Sequence, residues 1–219
     1  MNQNRVRIPL EVLRETTDAS NERNIYLHPN GLARDIFWQR LERLFGMLAR
    51  HTLPQDRVLD AGGGSGVFLK ALCGYYNHVQ VVDLDADDAE RVQRRLGLAN
   101  VTIHKANIQE YAAPYPLDVI VFADVLEHFK DLCIPLEFLR RNLAPGRGKL
   151  FISVPTENFL YELGRVLVRK QKPADHFHSS QTIIRFLESQ GYVLLERQWS
   201  PRYGIPIPLF DLVGFLAPK

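Results

Sequence analysis

The sequence predicts an α/β fold: a doubly wound, mostly parallel sheet with an N-terminal helical extension. Three observations carry that expectation. Short strands and amphipathic helices alternate from Arg57 to Val154. Two of the strands, Val79 to Leu84 and Leu117 to Ala123, are largely apolar runs bounded by charge, as in a sheet covered on both faces. The first strand opens into Gly62-Gly63-Gly64-Ser65-Gly66, a turn that lets backbone approach a ligand closely.

Taken in order, Leu32 to His51 places Ile36, Phe37, Leu41, Leu44, Phe45 and Leu48 at helical spacing with Arg and Glu between them, and Pro54 marks the exit. Residues 1–54 are read as the helical extension and 55–219 as the main domain. Arg57 to Ala61 is the first strand, followed by a helix over Val67 to Tyr75. Val79 to Leu84 is the second strand, Ala86 to Leu96 a helix, Val101 to His104 the third strand and Leu117 to Ala123 the fourth. Leu132 to Leu143 is helical and stops at Ala144-Pro145-Gly146 before the fifth strand, Lys149 to Val154. Beyond it the pattern loosens. Glu157 to Lys170 and Ser180 to Ser189 read as helices and Tyr192 to Trp199 as a strand. The apolar run Leu209 to Ala217 fits either state. A substrate-side lid is placed around 156–180.

Composition excludes several classes. With 219 residues, 46% hydrophobic and 24% charged, the chain is an ordinary globular protein rather than a disordered, collagen-like or coiled-coil one. Cys73 and Cys133 show no CxxC spacing, so neither a disulfide framework nor a cysteine zinc site is expected. There is no signal-like segment at Met1 to Leu10 and no apolar stretch of about 18 residues, and the expected location is cytoplasmic. The net charge of +2 is too small to imply a polyanion. It is uneven, however: Arg140 to Lys172 carries eight basic residues against Glu157 and Glu162. Arg165, Arg169, Lys170 and Lys172 fall beside an apolar stripe of Phe159, Leu160, Leu163, Val166 and Leu167. That pattern fits a solvated basic face, or contact with an anionic membrane surface or an acidic acceptor.

The glycine turn sits where an open α/β sheet binds its ligand, past the C-terminal end of the first strand. It breaks the dinucleotide fingerprint G-x-G-x-x-G, whose sixth position is Val67 counted from Gly62 and Leu69 counted from Gly64. Asp60 stands just before the glycines, where an acid repels a pyrophosphate but suits an ammonium or a water. Asp83 ends the second strand as an acceptor for a ribose diol, with Asp85 two residues on.

These residues resemble the class I S-adenosylmethionine (SAM)-dependent methyltransferases. The acid followed by x-G-x-G-x-G is matched by Asp60, Gly62, Gly64 and Gly66, and the acid after the second strand by Asp83. Asn107 stands at the polar position near the adenine, where many members carry Asp. Asp124-Val125-Leu126-Glu127-His128 after the fourth strand is similar to the small-molecule, ubiquinone-biosynthesis-like branch (types 11 and 23), as is the Pro145-Gly146 turn. The resemblance spans roughly Arg57 to Trp199. It implies SAM as cofactor and S-adenosylhomocysteine as product, with cofactor contacts at Asp60, Gly62, Gly64, Gly66, Asp83, Leu84, Asn107, Ile108 and Asp124.

Methyl transfer from a sulfonium is an in-line displacement, so the enzyme must chiefly align a nucleophile with the methyl carbon. A hydroxyl acceptor also needs its proton removed. The candidate bases are His128 and the pair His176 and His178, which alternate on one face of an extended segment. Each histidine also has a plain alternative, capping or surface exposure. Asp124, Glu127 and His128 have helical spacing, and with His176 they form an alternative ligand set for a divalent cation, similar to the ExxEH-plus-histidine pattern of metal-dependent methyltransferases. The expected function is methylation of a small-molecule acceptor, apolar or anionic, at oxygen. The rivals are an RNA or protein acceptor, a nicotinamide-dependent reductase, and a non-catalytic subunit of the same fold.

Overall fold

The structure, a computed structural model, describes residues 6–18, 24–156, 176–201 and 208–219. The expected helix Glu157 to Lys170, residues 157–175 of the lid, and the cations Arg165, Arg169, Lys170 and Lys172 lie outside the described residues.

The elements follow the expected alternation. Helix α1 (Leu10–Thr16) and a 3-10 turn (Ile25–Leu27) lead into the long α2 (Gly31–His51), whose N-cap Asn30 accepts from the backbone N–H groups of Leu32 and Ala33. Then come β1 (Val58–Ala61), α3 (Leu69–Cys73), β2 (Val79–Asp83), α4 (Asp87–Leu96), β3 (Val101–Lys105), β4 (Val119–Ala123), α5 (Cys133–Asn142) and β5 (Lys149–Pro155). They are followed by α6 (Ser180–Ser189), β6 (Val193–Ser200) and β7 (Phe210–Leu216). One expectation needs correction, and one open reading is resolved. The helix after the glycine turn keeps only Leu69–Cys73 of Val67 to Tyr75, because its first residues are spent on the turn itself. The run at Leu209 to Ala217 is a strand, apolar apart from Asp211 because it is buried in the sheet.

The seven strands lie in the order β3-β2-β1-β4-β5-β7-β6. The first five are mutually parallel, and β7 slots antiparallel between β5 and β6. Chain order reverses between β1 and β4, so the crevice past their C-terminal ends is the natural ligand site.

Alternate strand residues feed two cores, as the period of two demands. Val58, Val79, Val81, Val119, Val121 and Phe151 face α2, α3 and α4. Leu59, Val82, Ile120, Phe122, Ile152 and Val213 face α5 and α6. Thus α2 is part of the main core and packs on β5, β6 and β7. Gly214 on β7 permits this close approach, since a Cβ there would stand 2.9 Å from the Phe151 ring and 3.4 Å from Met47 Sδ.

Two cations of the basic segment lie away from the crevice. Arg147 pairs with Asp118 just before β4, and Lys149 opens β5, both at the opposite end of the sheet from the glycine turn. Among the described residues, no helix is long and apolar enough to cross a membrane. Both cysteines are free thiols, and Cys133 is exposed rather than in the apolar setting its neighbours imply.

Gly214→Val should press α2 off the sheet and cost about 1–3 kcal/mol through overpacking. Thermal unfolding reads this as roughly 2–4 °C per kcal/mol for a chain of this size. An unchanged midpoint would show that α2 does not depend on this contact.

Candidate functional site

The cofactor half of the site is built by the β1 turn. Gly62, Gly64 and Gly66 all have φ in the left-handed region, at 78°, 44° and 68°. Space is as restrictive as dihedral angle. A Cβ on Gly62 would fall 2.6 Å from Val125 Cγ2, and one on Gly66 would fall 2.7 Å from the Cα of Ala89 in α4. The turn is tied to the next strand, because the Gly64 N–H donates to Asp83 Oδ2 at 2.8 Å and the Asp85 N–H donates to Asp83 Oδ1 at 2.9 Å. Burial raises the Asp83 carboxyl, partly offset by these bonds.

Against the turn lies a cavity of about 200 Å³, whose walls include Asp60, Phe68 and Asp124 together with Tyr26, Phe37 and Arg40 from the N-terminal elements. Asp60 is 2% exposed. Burial, with the Asp83 charge adding to it, pushes its carboxyl up to about 7. A glycine cradle with a buried acid at its floor fits a ligand that carries an ammonium and a sulfonium. It does not fit a pyrophosphate.

Gly66 and Asp83 do not line this cavity, and neither do the other three cofactor candidates, Leu84, Asn107 and Ile108. Leu84 is 74% exposed at the rim just past β2. The Ala106 N–H donates to the Asp83 carbonyl at 3.0 Å, which sets Asn107 and Ile108 beside the end of β2, where a ribose held by Asp83 would continue to its base. Asn107 Oδ1 accepts from the Gln109 N–H at 3.0 Å, and Ile108 is buried.

The candidate catalytic residues follow β4. Asp124 sits at φ 60°, left-handed, so the Asp124 to His128 string is not one helix. Only Leu126–His128 makes a 3-10 turn. This corrects the expected metal set. Asp124 instead turns toward the cofactor cavity, where it pairs with Arg40 and accepts from Ser153 Oγ at 2.9 Å. Glu127, His128 and His176 do meet: one ligand atom from each lies within 4.8 Å of the others. Glu127 is fully buried, and the His128 and His176 rings are 4.8 Å apart, edge to face.

The two histidine motifs found separately in the sequence are therefore docked together. The Phe177 N–H donates to the Glu127 carbonyl at 2.8 Å, and the Lys130 ammonium lies 5.4 Å from the Phe177 ring centre. His178 parts from His176: its Nε2 lies 3.2 Å from the Lys130 carbonyl, so the two do not act as one pair on a shared face.

Sequence reasoning missed Arg40, Tyr26 and Ser153. Arg40 is 4% exposed although it is charged. The available signal was its place three residues after Phe37 and four before Leu44, inside the apolar stripe rather than between stripes.

A crevice at the strand-order reversal, a tight glycine cradle and a buried acid define a SAM-binding α/β methyltransferase. A family model described as a methyltransferase domain matches residues 31–197, and the chain belongs to the class I SAM-dependent methyltransferases. It is 32% identical over 130 residues to the ubiquinone biosynthesis O-methyltransferase of Xylella fastidiosa (strain 9a5c), covering 57% of this chain and 52% of that enzyme. It is 28% identical over 193 residues to the tRNA 5-carboxymethoxyuridine methyltransferase of Escherichia coli (strain K12), covering 79% of this chain and 72% of that one. The chain thus spans about half the length of the ubiquinone-pathway relative. The crystal structure of the N-methyltransferase NodS from Bradyrhizobium japonicum WM9 with S-adenosylhomocysteine shares the fold, with a TM-score of 0.68, 20% identity and coverage of 95% and 97%. SAM is the methyl donor of this family.

The buried acid gives the site a pH signature. Asp60 titrates near pH 4 when unfolded and near 7 when folded, so the folded chain holds an extra proton between those values. Its contribution to stability therefore falls as pH rises from about 4 to about 7 and is level above. A cation beside Asp60 favours the carboxylate, so SAM binding should release a proton. Affinity should climb toward about tenfold per pH unit below 7 and flatten above. Calorimetry in buffers of different ionisation enthalpy measures this directly. A pH-independent affinity with no proton release, or an unchanged slope in Asp60→Asn, would refute it.

Proposed function

We propose that this protein transfers the methyl group of SAM to an oxygen of a small-molecule acceptor, with His128 as the base. The observation that carries the reading is the joining of Glu127, His128 and His176 just after β4, on the loop whose Val125 rests against the glycine turn. His128 is exposed, as a group that meets an incoming acceptor must be. The buried Glu127 carboxylate stabilises the imidazolium that forms when the ring takes the hydroxyl proton. His176 packs edge-on and limits how the His128 ring turns. The likeness to a ubiquinone-pathway O-methyltransferase supports oxygen as the methylated atom.

The test is turnover of SAM carrying a labelled methyl group against panels of phenols, quinols and carboxylic acids. Acceptor-dependent release of S-adenosylhomocysteine is expected. His128→Ala should lower kcat about 100-fold, within the range for loss of a general base. A variant with wild-type kcat would remove His128 from this role.

Two observations favour other readings strongly enough to test. The tRNA methyltransferase matches more of this chain than the ubiquinone-pathway enzyme does, which supports an RNA acceptor. That reading requires retention of RNA that weakens steeply with salt. The Glu127, His128 and His176 donors also fit a divalent cation, as one carboxylate and two imidazoles. Such an ion would act as a Lewis acid toward the acceptor oxygen. Under the base reading, turnover is insensitive to chelator. Loss with EDTA and recovery with Mg²⁺ or Mn²⁺ would replace it.

A further inference from the structure

Arg40 is a full charge inside the protein, on a helix that precedes the whole sheet. Its guanidinium is shared among four elements. One nitrogen donates to the Tyr26 hydroxyl at 2.8 Å. Another pairs with the Asp124 carboxylate and lies 3.5 Å from Ser153 Oγ. Its centre stands 5.5 Å from the Phe37 ring centroid and 5.2 Å from that of Phe210 on β7. The acid it meets is unusual in turn. Among the described residues, Asp124 is the one non-glycine residue in the left-handed region. The conformation is uncommon for an L residue, is reached most readily by Asp and Asn, and persists where the surroundings hold it.

Three contacts supply that hold: the Asp124 N–H donates to the Ser153 carbonyl at 2.8 Å, Ser153 Oγ donates to Asp124 Oδ1, and Arg40 pairs with Asp124. The left-handed residue sets the direction of everything after it. Val125 folds back onto Gly62, Glu127 turns into the core, and His128 reaches His176.

We propose that Arg40 is a positioning residue: through Asp124 it fixes the left-handed turn after β4 and so aims Glu127 and His128. Its catalytic consequence rests on the base reading above. The geometric consequence does not. Ser153 bonds to one carboxylate oxygen whatever the charge, whereas Arg40 grips the other oxygen chiefly through the attraction of opposite charges. Removing the charge therefore releases one hold and leaves the other.

Asp124→Asn keeps the shape, the tolerance for a left-handed φ and the Ser153 bond, and loses the ion pair. Arg40→Met combined with Asp124→Asn also removes the uncompensated buried cation, so this double variant is the decisive one and is expected to fold. The first readout is the ring-to-ring nuclear Overhauser effect between His128 and His176 in histidine-labelled protein. The control is the same effect between His104 and Tyr111, whose rings are 5.0 Å apart on a remote part of the sheet. The expected result is loss of the His128–His176 signal in both variants, with the control intact. The second readout is turnover of whichever acceptor the panel yields, at saturating SAM: kcat falls at least tenfold while the acceptor KM stays within threefold.

An unchanged His128–His176 signal in the double variant overturns the proposal, as does a wild-type kcat. If the panel yields no acceptor, the base reading fails and the ring contact alone still decides this one. If Asp124→Asn loses the control signal as well, it has unfolded and the double variant decides.

Discussion

A guanidinium buried against a carboxylate is the constraint on which this structure turns. Arg40 and Asp124 come from elements far apart in the chain, and the buried Arg40 charge is not tolerable alone in its setting. Burying such a pair costs solvation that its attraction only partly recovers, so it is a weak source of net stability. Its value lies in the intolerance. A helix that slid by one turn, or a loop that relaxed out of its left-handed residue, would strand a charge in the interior. The ion pair thus excludes alternative registers between α2 and the ends of β4 and β5 more sharply than apolar contacts, which repack at modest cost.

That exclusion matters because the site is assembled from two halves that the chain makes separately. In the proposed reading the glycine turn and Asp60 shape the place for the sulfonium, and Val125, Glu127 and His128 the place for the acceptor. They meet directly where Val125 rests on Gly62, a contact with no space for even a methyl group. In-line transfer tolerates little lateral error between donor carbon and nucleophile. A rigid seam, held from beneath by Arg40, makes the two halves one object. The electrostatics divide along the same seam. Under the proposed reading, Asp60 on the acidic floor would meet the cationic donor and the imidazole at the rim the acceptor's proton.

The cofactor half was legible in the sequence because it is local chemistry. Glycines within one turn, an acid before them and an acid at the next strand end identify themselves without tertiary knowledge. The alternation of strands and helices is equally local, and the two faces of the sheet can be read from residues such as Val119 and Ile120. The catalytic half was only partly legible. Asp124, Glu127 and His128 have helical spacing in sequence, but the Ser153 and Arg40 contacts pull Asp124 out of any helix, and no short window contains those partners. Arg40 was hidden because periodicity treats arginine as solvent-facing, although its position within the Phe37 and Leu44 stripe pointed inward. Leu209 to Ala217 is ambiguous in sequence for a related reason: a strand buried on both faces loses the alternation that distinguishes it from a buried helix.

The insertion of β7 between β5 and β6 bears on how this molecule comes into being. Helix α2 leaves the ribosome before any strand of the sheet, yet the surface on which it rests is completed by β5, β6 and β7. Ser153 follows Arg40 by 113 positions, and Phe210, which stands beside the guanidinium, comes later still. The nascent chain therefore carries an amphipathic helix with a cation inside its stripe before the carboxylate, and long before the final strand, can receive it. Contacts of such sequence separation form slowly and leave apolar surface open in the interim. The helix is made early, and the surface that seats it is complete only when the last strand has been made.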